Sequence, residues 1–144
     1  MLTLRSATAL AMIMASAAMA HAEEFPTAPP KLKDAEAQGL VRMSTEELKS
    51  LLQGKTNEKG TRGSREKTFH PDGSVDRTGF GQKEGTGKWR FDDANNVYCL
   101  AFQEKKGYQE NCYATFRAPD STHYFDYDND TGFFQRVWRR VTAE

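Results

Sequence analysis

The sequence predicts a mainly β protein: an antiparallel β-meander, closed or nearly closed into a small barrel, with one short N-terminal α-helix. Two observations predict the strands. Clusters of glycine and other turn residues recur at short intervals after Gly54, and the segments between them are rich in Phe, Tyr, Trp, Val and Thr. A third observation predicts the helix, because residues 43–54 combine capping residues with leucines at helical spacing.

The first 22 residues have the pattern of a secretory signal peptide. Arg5 is followed by an uncharged run of Ala, Leu, Met and Ile, which ends in the small-residue sequence Ala20-His21-Ala22. Cleavage is expected after Ala20 or Ala22. An uncleaved anchor is the alternative, but the apolar run is shorter than the roughly 20 residues of a comfortable membrane span. The pattern predicts export to a bacterial periplasm.

Three regions are therefore expected: a signal peptide over 1–22, an extended or flexible leader over 23–43, and a single β-rich domain over 44–144. Without residues 1–22 the chain has 19 basic and 20 acidic residues. This near-neutral balance is not typical of a nucleic-acid-binding protein, so no nucleic-acid partner is predicted. No stable membrane span is expected after cleavage, because no later segment is apolar over a sufficient length.

The leader contains one weak helical signal and is followed by a strong one. Residues 31–41 are compatible with a helical turn that ends at Gly39. A helix is predicted over about 45–53, because Ser44 and Glu47 form a capping box at its start. Its leucines, spaced for one apolar face, must pack on the rest of the domain, since so short a helix is not stable alone.

Seven strands follow, with turn clusters such as PDG, GQKEGTG and DNDTG between them. They are predicted near 64–70, 74–80, 87–92, 96–103, 109–117, 122–127 and 132–141. Alternating large apolar residues within them predict the core or the lining of a cavity, for which the candidates are Trp89, Tyr98, Leu100, Phe102 and Phe116.

Cys99 and Cys112 are the two cysteines of the chain, and two cysteines in an exported protein predict one disulfide. Their spacing suits neither a zinc site nor a redox motif. Folding the two strands about Lys105 and Lys106 brings Cys99 opposite Cys112. We therefore predict a cross-strand disulfide, which would stabilise the fold by ~3 kcal/mol on the loop-closure argument.

Three alternate aspartates near the C-terminus, Asp126, Asp128 and Asp130, match positions 1, 3 and 5 of an EF-hand-type calcium loop. The match fails at position 6, which is Thr131, and at position 12, which is Val137. We therefore predict a hairpin turn and no metal site, and keep the three aspartates only as a weak calcium candidate.

The last predicted strand places Arg136, Trp138 and Arg140 on one face. Such a face is suited to an anionic glycan, a lipid headgroup or a protein partner, through cation–π and bidentate contacts. In that case Arg136→Ala and Arg140→Ala would abolish binding without lowering the melting temperature. The alternative is that the arginines neutralise nearby acids and cover aromatic rings.

No pattern in the chain predicts catalysis. The serines lie in turn contexts without a nucleophile elbow, and the glycines of GFGQKEGTG do not match a dinucleotide-binding fingerprint. His70 and His123, the histidines outside the signal peptide, do not have metal-ligand spacing with the acidic residues. The predictions are therefore no enzyme, no catalytic residue and no cofactor.

A set of short motifs in a fixed order carries a resemblance to a known family. The order is LLQGKT (51–56), PDG (71–73), GTGKW (85–89), YCLAF (98–102) and NCYATF (111–116), followed by an aromatic C-terminal hairpin. It resembles the exported bacterial family called domain of unknown function 995, over roughly residues 44–140. The resemblance implies a periplasmic β-meander and no particular activity. GTGKW before a disulfide-linked meander is also similar, in architecture only, to calycin-like barrels.

Three functions remain open at this point. The first is a non-enzymatic periplasmic module that binds an apolar or anionic small ligand or an envelope protein. The second is a protease-inhibitor-like protein that presents residues 23–30, and the third is an enzyme of an unrecognised type. A cavity with convergent polar groups favours the first, a protruding leader the second, and a cavity that pairs a histidine with a carboxylate or hydroxyl the third.

Overall fold

A computed structural model describes residues 24–79 and 85–142, so the predicted signal peptide lies outside the described residues. The protein is mainly β, and its strands form a closed antiparallel barrel of eight, which confirms the predicted fold class. Its elements are α1 (Leu32–Ala37), α2 (Thr45–Leu51), β1 (Gly54–Gly60), β2 (Gly63–Phe69), β3 (Ser74–Thr78), β4 (Gly85–Asp92), β5 (Val97–Glu104), β6 (Gly107–Arg117), β7 (Tyr124–Asp128) and β8 (Phe134–Arg140).

The predicted number of strands was wrong by one, because β1 was missed. This strand has the sequence GKTNEKG, and the side chains that it buries, Thr56 and Glu58, are polar. It therefore lacks the apolar alternation that identifies a strand in a sequence. The seven predicted strands correspond to β2–β8.

Each strand pairs with its neighbours in sequence, and β1 pairs with β8 to close the barrel. Because side chains alternate between the two faces of a strand, every second residue points into the barrel. The turns after β1, β5 and β7 lie at one end, here called the upper end. The turns after β2, β4 and β6 lie at the other, the lower end.

Helix α2 closes the lower end of the barrel. Its first turn is capped by Ser44, whose side chain accepts a hydrogen bond from the Glu47 amide, as the capping box predicts. Leu48 and Leu52 are buried in the interior core. The helix ends two residues earlier than predicted, since Leu52 leaves the helical region and Gly54, with φ +76°, turns the chain into β1.

The leader packs along the outside of the barrel. The Tyr127 hydroxyl donates to the Pro29 carbonyl at 2.8 Å, and Ala35 of α1 is fully buried. Phe25, Leu32 and other leader residues cover an outer apolar cluster on β6, β7 and β8, which consists of Phe116, Ala118, Phe125, Tyr127 and Val137. These three strands therefore bury side chains on both faces.

The disulfide between Cys99 and Cys112 joins β5 to β6, as predicted. The two residues are direct partners across the strand pair, and their Cα atoms are 4.0 Å apart. They lie on the outer face with Val97 and Ala114. No helix within residues 24–79 and 85–142 has the length and apolar character needed to cross a membrane.

Candidate functional site

The barrel interior is divided between an apolar lower half and a polar upper half. The lower half is filled by α2 leucines and by rings that pack edge to face or stacked, among them Phe69 against Trp89 and Tyr124 on Trp138. Such packing stabilises a core well, because each large ring buries much apolar surface. The lower half therefore supports the polar groups above it.

Four charged side chains meet in the middle of the barrel: Glu58, Lys67, Asp126 and Arg136, here called the charge network. Glu58 accepts a hydrogen bond from the Lys67 ammonium, and Arg136 Nε lies 3.0 Å from Glu58 Oε2. Arg136 Nη1 lies 3.1 Å from Asp126 Oδ2. With two cations and two carboxylates, the network balances its own charge, as buried ions require.

Asp126 is the most connected member of the network. It is fully buried and accepts hydrogen bonds from Thr115 Oγ1 at 2.8 Å, from Trp138 Nε1 at 2.9 Å and from the Tyr98 hydroxyl. These donors come from β6, β8 and β5, so one carboxylate links four strands including its own. Each donor finds an acceptor in a place that water does not reach.

Burial and neighbouring charges shift the pKa values in this network. Burial is the largest influence on Glu58, yet Lys67 and Arg136 outweigh it and hold its pKa below the ordinary value. Burial, followed by the charge of Arg136, lowers the pKa of Lys67 to about 8, although Glu58 acts in the opposite direction. Burial and then Asp126 raise the pKa of Tyr98 well above its usual value, so its hydroxyl remains a donor.

A cavity of about 260 Å³ lies above the charge network and opens at the upper end of the barrel. It is here called the upper cavity. Five of its lining side chains are cationic, namely Arg62, Arg65, Lys67, Arg77 and Arg136, and two are carboxylates, Glu58 and Glu104. Lys67, Arg136 and Glu58 belong to the charge network, which Asp126 makes neutral. The rest of the lining therefore holds three arginines and one carboxylate, an excess of two positive charges.

Arg77 and Arg65 form the cationic wall of the upper cavity. The Arg77 guanidinium carbon lies 3.9 Å from the centre of the Phe102 ring, and its Nε is buried without a hydrogen-bond partner among residues 24–79 and 85–142. Burial lowers the pKa of the half-buried Arg65, and the charges of Arg77, Arg136 and Arg62 lower it further against the opposing effect of Glu58. The wall is therefore a group of mutually repelling cations.

Two glycines of the GTGKW motif make room for this wall. Gly87 lies under Phe102, and a Cβ atom there would be 2.7 Å from the ring and 2.5 Å from the Ala101 carbonyl oxygen. Gly85 is the strand partner of Arg77, and a Cβ atom there would lie 3.5 Å from Arg77 Nε. The motif thus allows a ring and a guanidinium to lie close to the backbone of β4.

A second part of the upper cavity lining is formed by amide side chains. Gln109 and Asn111 of β6 line it, together with Gln135 of β8. Gln109 and Asn111 make no side-chain hydrogen bond to any residue in the described part of the chain, whereas Gln135 Nε2 donates to the Phe133 carbonyl at 3.3 Å. The cavity therefore offers neutral donors and acceptors in addition to the cationic wall.

The predicted surface formed by Arg136, Trp138 and Arg140 is wrong in its location. The three residues do share a face, but that face points into the barrel: Trp138 is 2% exposed, and Arg136 belongs to the charge network. Only Arg140 is exposed, at the lower end near Ser50. Of the three, Arg136 alone reaches the upper cavity.

The candidate core residues divide between the two faces of the sheet. Tyr98, Leu100 and Phe102 lie inside the barrel, where Leu100 and Phe102 line the upper cavity. Trp89 is half-buried at the lower end of the interior. Phe116 is buried in the outer cluster under the leader, so it lines no part of the interior.

The three alternate aspartates do not converge on one point. Asp126 belongs to the charge network. Asp128 Oδ1 instead accepts hydrogen bonds from the backbone amides of Asp130 and Thr131, at 2.8 and 2.9 Å, in the predicted hairpin turn. A register shift between β7 and β8 after Asp126 accompanies this divergence. Within the described ranges, the one group of three ligand-type residues with metal-like spacing is Cys99, Glu110 and Cys112, and its two cysteines form the disulfide.

Each of the two histidines in the described part of the chain is paired with an aspartate at the protein surface or in a loop. His70 Nε2 lies 2.8 Å from Asp76, and His123 Nδ1 lies 2.6 Å from Asp120. Neither histidine lines the upper cavity, nor a second cavity of about 430 Å³ beside α2 whose lining includes Trp89. The arrangement that would favour an enzyme, a histidine paired with a carboxylate or hydroxyl inside a cavity, is not found in either of these cavities.

Sequence reasoning missed most of the polar site residues, above all Glu58, Arg65, Lys67 and Arg77. Polar residues on a strand are normally assigned to the solvent face. One signal was available, because Arg65, Lys67 and Phe69 are spaced two residues apart and therefore share one face of their strand. If Phe69 points inward, both cations must point inward too.

Comparison with models of known protein families, with curated proteins and with solved structures finds no match. The resemblance to the domain of unknown function 995 family therefore stays a prediction.

Proposed function

We propose that this protein is an exported, non-enzymatic module of the bacterial periplasm that binds a small anionic ligand in the upper cavity. The observation that carries the proposal is the cationic wall: Arg65 and Arg77 line the cavity, and neither forms a salt bridge within residues 24–79 and 85–142, whereas the charge network below is neutral. Repelling, partly buried cations are unfavourable without a counter-charge. A bound anion supplies that charge.

The size and polarity of the upper cavity support a small ligand rather than an apolar one. Its volume of about 260 Å³ lies just below the usual range for sites of drug-sized ligands, roughly 300–1,000 Å³. Most of its lining side chains are polar, and the aromatic rings that reach it, Phe102 and Tyr113, are each covered by a guanidinium. An apolar ligand would displace water from these polar groups without replacing the hydrogen bonds that water makes to them.

The packing of the leader supports ligand binding rather than protease inhibition. Pro29 is buried, its carbonyl accepts the Tyr127 hydroxyl, and the Pro30 carbonyl accepts the amide of Phe134. A segment held by its backbone against the barrel does not present an extended loop to a protease. The disulfide is in keeping with export, because such bonds persist in oxidising compartments.

Isothermal titration calorimetry of the periplasmically expressed protein tests the proposal, with citrate, glucuronate and inorganic phosphate as anionic probes and glycerol as a neutral one. We expect at least one anion to bind and glycerol not to. In the double variant Arg65→Gln/Arg77→Gln that affinity should fall about ten-fold or more, since each charge-assisted hydrogen bond contributes roughly 1.5–3 kcal/mol.

The matched control is Lys105→Gln/Lys106→Gln. It removes the same charge from exposed lysines in the β5–β6 turn, which lies at the same end of the barrel but outside the cavity lining. Its affinity should stay near that of the unaltered protein. The proposal fails if none of the three anions binds, or if both double variants weaken binding equally, because net charge alone would then explain the effect.

A further inference from the structure

The two walls of the upper cavity differ in chemistry, and the difference restricts the ligand beyond its charge. One wall offers guanidinium groups from Arg65 and Arg77, and the other offers the amides of Gln109 and Asn111. Guanidinium edges recognise carboxylate or phosphate oxygens. Amides both donate and accept, so they match groups that also do both, above all hydroxyls.

From this arrangement we infer that the ligand is a monosaccharide derivative whose carboxylate or phosphate contacts Arg65 and Arg77 and whose hydroxyls contact Gln109 and Asn111. The inference rests on the proposed function, since it names the ligand class of the same cavity. A bare anion would leave the amide wall unused, and a neutral sugar would leave the cationic wall uncompensated.

The position of the anionic group follows from Arg77. Its side chain lines the cavity, and its guanidinium carbon lies 3.9 Å from the centre of the Phe102 ring, which holds the head group in place. The two terminal nitrogens of an arginine form an edge that can bind an oxyanion in bidentate fashion. Arg65 adds a second guanidinium, because β2 and β3 are neighbouring strands.

The amide wall begins beside the ring that Arg77 covers. Gln109 pairs with Phe102 in the β5–β6 register, and Asn111 pairs with Leu100. All four side chains therefore point into the barrel. Leu100 and Phe102 are buried, whereas the two amides are exposed. Leu100 provides an apolar contact for the carbon-bound hydrogens of a sugar ring, while the amides reach its hydroxyls.

The charge network forms the floor and limits how far a ligand can enter. Lys67 and Arg136 each contact Glu58, and Arg136 also contacts Asp126, so the ions below the cavity satisfy one another. A ligand is thus held at the level of Arg65, Arg77 and the amides. This depth suits one sugar ring rather than an oligosaccharide inserted along the barrel axis.

Calorimetry with five probes tests the inference: glucuronate, glucose 6-phosphate, glucose, acetate and inorganic phosphate. We expect glucuronate or glucose 6-phosphate to bind about ten-fold or more tightly than acetate, phosphate and glucose, because two added hydrogen bonds account for about that ratio. The tighter of the two sugar derivatives identifies the oxyanion as carboxylate or phosphate, and either result supports the inference.

The variant Asn111→Ala separates the sugar contact from the anion contact. It should weaken the sugar derivative several-fold and leave acetate and phosphate unchanged, while Gln103→Ala, exposed on the outer face of β5, should change neither. If acetate or phosphate binds as tightly as its sugar derivative, the inference fails and the proposed anion site stands. If glucose binds as tightly as glucuronate, both fail. If none of the five probes binds, the inference fails, and the proposed function fails with it when citrate does not bind either.

Discussion

Gly87 is the residue at which the interior allows the least change. A methyl group there would approach the Ala101 carbonyl oxygen to 2.5 Å and the Phe102 ring to 2.7 Å, so β4, β5 or the ring must move. We expect Gly87→Ala to lower the free energy of unfolding by about 1–3 kcal/mol or more. Urea unfolding followed by tryptophan fluorescence measures this change.

Gly85→Ala is the matched comparison, because its methyl group would lie 3.5 Å from Arg77 Nε, an ordinary contact distance. It should change stability by less than about 1 kcal/mol. Equal losses of stability in the two variants would contradict the view that the Phe102 ring requires the absence of a side chain at residue 87.

Asp126 concentrates more hydrogen bonds than its neighbours. An amide in its place cannot accept from Thr115, Trp138 and Tyr98 and also pair with Arg136, because one of its two polar atoms is a donor. Asp126→Asn should therefore lower the free energy of unfolding by about 3–5 kcal/mol.

Asp130→Asn provides the reference for that variant, since Asp130 is exposed in the β7–β8 turn. Its effect should be within about 0.5 kcal/mol of zero by chemical denaturation. An Asp126→Asn protein as stable as this reference would mean that the carboxylate charge is unimportant to the fold.

At the residue scale the sequence allowed some side chains to be placed and not others. Tyr98, Leu100 and Phe102 were predictable as interior residues, because their strand alternates and is strongly apolar. Glu58 was not, because a charge is stable inside a barrel only when it is paired, and its partner Arg136 comes from β8 at the other end of the domain. That pairing becomes visible only when the barrel closes.

The β5–β6 hairpin is the element with the clearest covalent constraint. Replacing both cysteines in Cys99→Ala/Cys112→Ala should lower the free energy of unfolding by about 3 kcal/mol, through the added freedom of the unfolded chain. The barrel itself should remain, because the same hairpin is held by backbone pairing from Tyr98↔Tyr113 to Glu104↔Gly107. Urea denaturation and circular dichroism measure the two effects.

Unaltered protein treated with a reductant is the companion measurement, and its loss of stability should match that of the double variant. A variant with unchanged stability, or one without β circular dichroism, would contradict the role assigned to the disulfide.

At the element scale, helix α2, the disulfide and seven of the eight described strands could be predicted, since each carries a local pattern. Strand β1 could not, because its interior residues are polar and its apolar support comes from other strands. The burial of the outer face of β6, β7 and β8 under the leader could not be predicted either. In β7 the sequence YFDYD buries both faces, so the alternation that marks an exposed side is absent.

The whole molecule should respond to alkaline pH through Lys67. The folded protein releases this proton near pH 8, whereas the unfolded chain holds it until about 10.5. Between these values the unfolded state binds more protons, so the stability that Lys67 contributes rises with pH and is lowest at pH 8 and below. Denaturation series at pH 7.5, 8.5 and 9.5 should show this trend relative to Lys67→Met, which does not titrate.

The comparison with Lys67→Met matters because other groups also titrate in this range, and they are common to both proteins. The difference in stability between the two should grow in favour of the unaltered protein as the pH rises. Parallel pH profiles would show that Lys67 keeps an ordinary pKa in the folded state.

The β1–β8 pairing has a consequence for how the chain folds. In the described barrel it is the one pairing between strands from opposite ends of the domain, and Glu58 and Arg136 come from its two sides. Loop-closure entropy makes such a long-range contact slow to form, whereas the hairpins from β2 to β8 are local. We infer that barrel closure is the last step of folding. The upper cavity, which takes residues from both strands, comes into existence only at that step.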